Sequence, residues 1–250
     1  MEHALQKASL GKRIAAGILD GILICILATG FAFLLSVLLG YDGYNQTLKD
    51  GYSRYETQYG VSFDIPREEL SDADREKWDA AYKALSQDEE VIQAYNVVLN
   101  LTLVIASVAI LLSVLAWEFA VPLLLHNGQT VGKKVFSLGL VRVDGVQVTN
   151  LQLMVRALLG KFTLEIMIPV FVILMVFWGI SGLIGPIVLL ALLVAQAICL
   201  CVSKTNALLH DQMAGTAVVD ISSQRIFRST EDLIAYQKQV AAERAARQTY

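Results

Sequence analysis

The chain has 250 residues, of which 55% are hydrophobic and 17% charged, and its mean hydropathy is +0.54. A water-soluble domain of this length is nearer a quarter charged, so the proportions exclude an ordinary soluble enzyme and point to segments buried in lipid. Its 20 Lys and Arg against 23 Asp and Glu leave a net charge of −3, which argues against nucleic acid as a partner.

Residues 1–40 read as a cytoplasmic N-terminus followed by a first transmembrane helix. From Gly21 to Leu39 no residue is charged, and at ~1.5 Å per residue such a helix nearly crosses a hydrocarbon core of about 30 Å. Lys7, Lys12 and Arg13 precede the run, as in a signal peptide, but the run is too long for one and no A-x-A-like cleavage site follows. Residues 41–96 read as an acidic extracytoplasmic helical loop, with six basic residues against thirteen acids. Within it Ser71 is placed to cap a helix through DADREKWDAAYKAL, because a serine followed by acids complements the first-turn amides. A further helix is expected to start near Ser86 or Gln87 and continue into the second span.

The second transmembrane helix is read over 97–125, with Glu118 as its lone charge and Trp117 suited to an interface. Residues 126–163 read as a cytoplasmic β-hairpin, turning at Asp144-Gly145, and an interfacial helix whose Arg156 and Lys161 reach lipid headgroups. This stretch holds Lys133, Lys134, Arg142, Arg156 and Lys161 against the lone acid Asp144. Residues 164–203 carry the third and fourth transmembrane helices, Leu164 to Ile180 and Ile187 to Val202, joined by a turn at Gly182, Gly185 and Pro186. In the cytoplasmic tail, 204–250, Gly215 ends a helical turn, Thr216 to Ile221 is a candidate strand beside the hairpin, and Ser229 opens a peripheral helix. The expected fold is all-α transmembrane: a four-helix membrane bundle with a cytoplasmic β-hairpin and an extracytoplasmic helical loop. The bias of basic residues puts both termini in the cytoplasm of a multi-pass cell-membrane protein.

The charges near the spans carry the functional question. Asp20 lies inside the first apolar segment, and Arg13, seven residues earlier, falls on nearly the same helix face. A carboxylate in lipid costs ~2.5–3.5 kcal/mol at the bilayer centre on insertion scales and therefore takes a partner or water. Asp20 can be a structural ion-pair member, or a proton or cation ligand. Glu118, Glu165 and Asp211 are expected near the same membrane face, Lys161 and Glu165 stand at i,i+4, and His210 is a candidate titrating group. Cys25, Cys199 and Cys201 sit in apolar runs as small hydrophobes; neither a metal site nor a catalytic constellation is written, so no enzyme activity and no cofactor are expected.

Three blocks resemble the RDD family of bacterial membrane proteins. RIAAGILD, from Arg13 to Asp20, is similar to its Arg-x-x-Ala-x-x-x-Asp pattern; NGQTVGKKVFSLGLVRVDG, from Asn127 to Gly145, to its Gly-Gln-Thr-x-Gly-Lys segment; and LLHDQMAGTAVV, from Leu208 to Val219, to its His-Asp-x-x-Ala-Gly-Thr segment. The resemblance puts Arg13, Asp20 and Asp211 at the family's named arginine and two aspartates, a candidate ion or proton site with Glu118, Glu165 and His210 as secondary members. It implies transport, with cation/proton antiport proposed for some members, so a monovalent cation and a proton are the expected partners beside the lipid bilayer. Four spans are few for a complete pathway, which favours a homo-oligomer. The alternative is a non-transporting scaffold or accessory protein that binds a partner through its outer loop or tail. Two departures stand out: the acidic loop is an insertion relative to compact members, and Lys204 occupies a position where arginine is expected.

Overall fold

A computed structural model describes residues 8–125, 128–177, 179–180, 182–203, 205–222 and 224–248. Lys7, His126, Asn127 and Lys204 therefore lie outside the described residues. Among the described residues, four helices are long and apolar enough to cross a membrane: Leu10–Leu38, Glu89–Leu125, Asn150–Phe177 and Ile184–Val202. They are named α1, α4, α6 and α7 in chain order. The shorter elements are α2 (Tyr41–Tyr59), α3 (Asp72–Leu85), α5 (Val131–Val135), α8 (Leu209–Met213), α9 (Thr230–Gln248), β1 (Leu138–Arg142) and β2 (Thr216–Asp220). By contacts the chain divides into one unit of Met1–Leu27 with Ile110–Tyr250 and another of Ala28–Ala109.

In the larger unit α1 shows how the sequence sorts its faces. Ile14, Ile18, Ile22 and Ile26 recur every fourth residue and are exposed, as a lipid-facing stripe requires, whereas Ala16, Asp20 and Ile24 are buried at the same spacing on another face. One carboxylate in that buried row marks the side of the helix where the charges collect.

Two segments depart from α-helical spacing. In α4 the turn Ala116–Ala120 is π-helical. Pro122 follows directly; it has no N–H to give and its ring crowds the preceding turn, which the wider turn relieves. In α6 the stretch Arg156–Met167 is π-helical, and its Gly160 lies where a Cβ would strike the backbone and Cβ of His210. The missing side chain lets α8 pack directly on α6. The expected interfacial helix is thus continuous with the third span: α6 starts at Asn150, behind a capping box of Thr149 and Gln152, and runs unbroken to Phe177.

The sheet also differs from the expected local hairpin. The turn does form, with Gly145 at a φ of +87°, but the strand after it is reduced to an isolated bridge between Val141 and Gln147. The partner of β1 is β2, antiparallel, with Leu140 opposite Val218. Both faces are occupied: Leu138, Leu140 and Val218 pack with Ala8, Ala16 and Leu153, and Val141, Ala217 and Val219 pack with Ile226. A strand that can bury both faces gains more from the β-branched Thr-Ala-Val-Val run of β2 than from the half-polar Val-Gln-Val segment beside the turn.

In the smaller unit Ser71 accepts a hydrogen bond from the Asp74 amide and caps α3, as its sequence indicates. Helix α2 was not apparent in the sequence because its polar, tyrosine-rich residues show little apolar periodicity. Gly60, in the left-handed conformation at its C-terminus, is the local signal that marks its end. Helix α4 starts at Glu89 and carries the polar segment into the span without a break.

Candidate functional site

The charged residues near the ends of α1, α4 and α6 meet the α5 and α8 segments in one buried network. Asp20 lies on the buried face of α1, and its carboxylate accepts from Trp117 Nε1 at 2.8 Å, Thr130 Oγ1 at 2.5 Å and the Gly132 amide at 2.8 Å. Gly132 is required there because a Cβ would overlap the Ala16 carbonyl and the Asp20 carboxylate. The Gly-Gln-Thr-Val-Gly-Lys segment therefore supplies a hydroxyl cap, a close backbone approach and a cation to one aspartate.

That cation is Lys133. Its Nζ lies 3.0 Å from Thr130 Oγ1, 3.7 Å from Asp20 Oδ2 and 3.6 Å from Glu118 Oε2, so three oxygens surround a buried ammonium. Burial, with the nearby guanidinium of Arg156 and ammonium of Lys161, outweighs the pull of Glu118 and Asp20 and lowers Lys133 to about 8. Glu118 itself is fully buried and also meets Arg156 NH1 at 2.5 Å and Lys161 Nζ at 3.0 Å. Lys161 Nζ is the group that meets its Oε1.

Arg156 links this half of the network to the other. Its Nε donates to Asp211 Oδ1 at 3.0 Å, and Arg13 NH2 donates to Asp211 Oδ2 at the same distance. Arg13 also donates to the Thr205 carbonyl at 3.0 Å. Arg156 Nη2 lies 2.9 Å from His210 Nε2, which also lies 3.3 Å from Asp211 Oδ1, and the other ring nitrogen is Nδ1. That Nδ1 faces Glu165 Oε1 at 2.5 Å, and Gln196 donates to the same oxygen at 2.7 Å. Apart from His210, the network holds the four carboxylates Asp20, Glu118, Glu165 and Asp211 and the four cations Arg13, Lys133, Arg156 and Lys161.

The structure brings all the sequence candidates into one network but regroups them. Arg13 meets Asp211 and not Asp20; Asp20 is held by Trp117, Thr130, Gly132 and Lys133. Arg156 and Lys161, expected at headgroups, instead pair with Glu118. Lys161 and Glu165, expected as an i,i+4 pair, make their closest contacts elsewhere: Lys161 with Glu118, and Glu165 with His210 and Gln196. Lys133 was overlooked as a site residue. Its signal was the motif lysine three residues after a capping threonine and next to the glycine that touches Asp20.

A cavity of about 200 Å³ opens beside the network, with Arg13, Asp20, Lys133, Lys161 and Asp211 in its wall and Leu10, Ile14 and Leu200 among its apolar residues. Among the described residues, no group of three or more His, Cys, Asp or Glu side chains is arranged to hold a metal ion.

A family model, the RDD family, matches residues 7–215. That span includes every member of the buried network. No curated protein and no solved structure matches the chain.

Proposed function

The chain belongs to the RDD family, a family of membrane proteins, and from that premise we propose that it exchanges a monovalent cation for a proton at Lys133. The observation that carries this reading is the buried ammonium among the oxygens of Thr130, Asp20 and Glu118, a donor set that suits a small cation equally well. Loss of the Lys133 proton leaves Asp20 and Glu118 one positive charge short. An uncompensated buried charge costs several kcal/mol, so the vacancy favours entry of one cation, and reprotonation of Lys133 expels it. One proton leaves for each cation that binds, the charge of the network is constant, and the exchange itself is electroneutral.

In this reading Asp20 and Glu118 are the ligands, Lys133 is the proton carrier, and Arg156 holds Glu118 in place while tying it to Asp211 and Arg13. The site lies toward the cytoplasm, as the basic residues Lys12, Arg13, Lys133 and Lys134 suggest, with both termini cytoplasmic in the cell membrane and the acidic segment outside. A homo-oligomer supplies the remainder of a pathway that four helices are few to build. No catalytic role is assigned. Purified protein in proteoliposomes is expected to move Na⁺ or K⁺ against an imposed pH gradient, with Asp20→Asn and Lys133→Gln inactive though correctly folded. Flux equal to protein-free liposomes would refute the reading.

The full pairing of the network favours a second reading. Four carboxylates matched by four cations can equally be a permanent clasp that fixes α5, α8 and the β-sheet against the helices of a non-transporting scaffold, with the acidic segment or tail binding a partner. That reading predicts stability losses in the same variants and no flux in the wild type.

A further inference from the structure

The cavity beside the network presents its charges unevenly. Its two acids are withdrawn into the wall, with side-chain exposures of 2% for Asp20 and 0% for Asp211. Three of its basic side chains show more: Lys161 at 20%, and Arg13 and Lys133 at 8% each. What faces the opening is therefore a set of N–H donors with positive charge, and the carboxylates that balance them stand behind. Around this polar floor the wall is apolar, built from Leu10, Ile14, Gly17, Leu200 and Leu208. Ile14 belongs to the exposed isoleucine stripe of α1, so the apolar side of the cavity is continuous with a surface that faces acyl chains.

We propose that this cavity binds an anionic phospholipid, with the phosphate on Lys161, Arg13 and Lys133 and an acyl chain along Ile14 and Leu200. Charge complementarity selects an anion at this mouth, since the cavity lining carries Arg13, Lys133, Arg156 and Lys161 against only Asp20 and Asp211. The apolar rim selects an amphiphile over a free anion, because only an amphiphile also covers the leucine and isoleucine of the rim with an apolar chain. The bilayer supplies such a molecule at the mouth of the cavity. This inference does not depend on cation exchange: a scaffold with the same cavity would hold the same lipid.

Gly17 gives a clean perturbation. Gly17 lines the cavity and a Cβ there meets nothing within 4 Å, so a larger side chain at this position is expected to take up cavity space. Detergent-purified wild type, Gly17→Leu and Lys161→Gln are incubated with phosphatidylglycerol, phosphatidylcholine of matched chains, or inorganic phosphate, and bound species are counted by native mass spectrometry. The wild type is expected to retain phosphatidylglycerol over phosphatidylcholine by about tenfold or more, the equivalent of one charge-assisted hydrogen bond. Both variants are expected to lose that preference, with Gly17→Leu keeping the wild-type melting temperature. Lys161→Gln removes a partner of Glu118 and can unfold the protein, so the decisive comparisons are the two lipids on wild type and phosphatidylglycerol on Gly17→Leu. Equal retention of the two lipids, undiminished phosphatidylglycerol preference in folded Gly17→Leu, or free phosphate competing as well as the lipid would each overturn the proposal.

Discussion

Arg156 is the strongest test of the buried network, because one side chain joins two fully buried carboxylates. Replacing it with methionine keeps the stem and its packing but removes the guanidinium from Glu118 at 2.5 Å and Asp211 at 3.0 Å. Glu118 retains Lys133 and Lys161, and Asp211 retains Arg13, so the carboxylates stay partly compensated while the network carries one unpaired negative charge. Removing one partner of a buried pair costs ~3–5 kcal/mol, because it leaves an uncompensated buried charge. For a domain of this size that corresponds to a fall in melting temperature on the order of 10 °C. Arg156→Lys restores the charge without the fork that spans both acids, and should lie between wild type and Arg156→Met. The control is Lys12→Ala, which breaks the ion pair to Asp220 at 2.7 Å where solvent screens it and should change stability far less. Thermal unfolding in detergent, followed by loss of the monodisperse peak, ranks the variants. Arg156→Met melting with Lys12→Ala would refute the idea that the network bears on the fold.

Two further outcomes follow from named contacts. Lys133 sits near 8 in the folded chain against 10.5 for an ordinary lysine, so between those values the unfolded chain binds more protons and stability rises with pH, by roughly 3 kcal/mol across the window. Lys133→Gln should remove that rise, and chemical unfolding of both proteins from pH 7 to 10.5 measures the difference. At Gly160, alanine would drive a Cβ into His210, and since backbone cannot swing aside as a side chain can, a loss of about 1–3 kcal/mol is expected. Unchanged melting of Gly160→Ala would mean that α8 does not pack on α6 as described.

The spans were legible because length and apolarity are properties of a window, and the four runs stand out from their neighbours. The caps at Ser71 and Ser229 were legible for the same local reason: serine followed by acids has few other uses. The pairing inside the network was not. Arg13 and Asp20 share a helix face, which ranks them as partners by spacing, yet the α8 segment brings Asp211 to Arg13 while Thr130, Gly132 and Lys133 reach Asp20. Helix spacing cannot anticipate residues arriving from other segments more than a hundred positions away. Arg156 and Lys161 were misplaced for another reason: basic residues beside a span ordinarily reach headgroups, and periodicity gives no sign of a π-helical stretch that turns them inward. The sheet was half legible. The β2 strand and its place beside the hairpin segment could be read from its β-branched run, but the reduction of the second hairpin strand to a single bridge could not.

Cation-linked proton release tests the exchange at Lys133 most directly. Detergent-purified protein in weak buffer near pH 8 is titrated with Na⁺ or K⁺ while a pH indicator reports the protons set free. Because Lys133 at about 8 is already about half deprotonated in that buffer, the account predicts release approaching about half a proton per protein at saturation, with more cation needed to reach saturation as the pH drops, and none from Lys133→Gln or Asp20→Asn. A wild-type response no larger than that of Lys133→Gln would contradict it and leave the buried charges as a structural clasp.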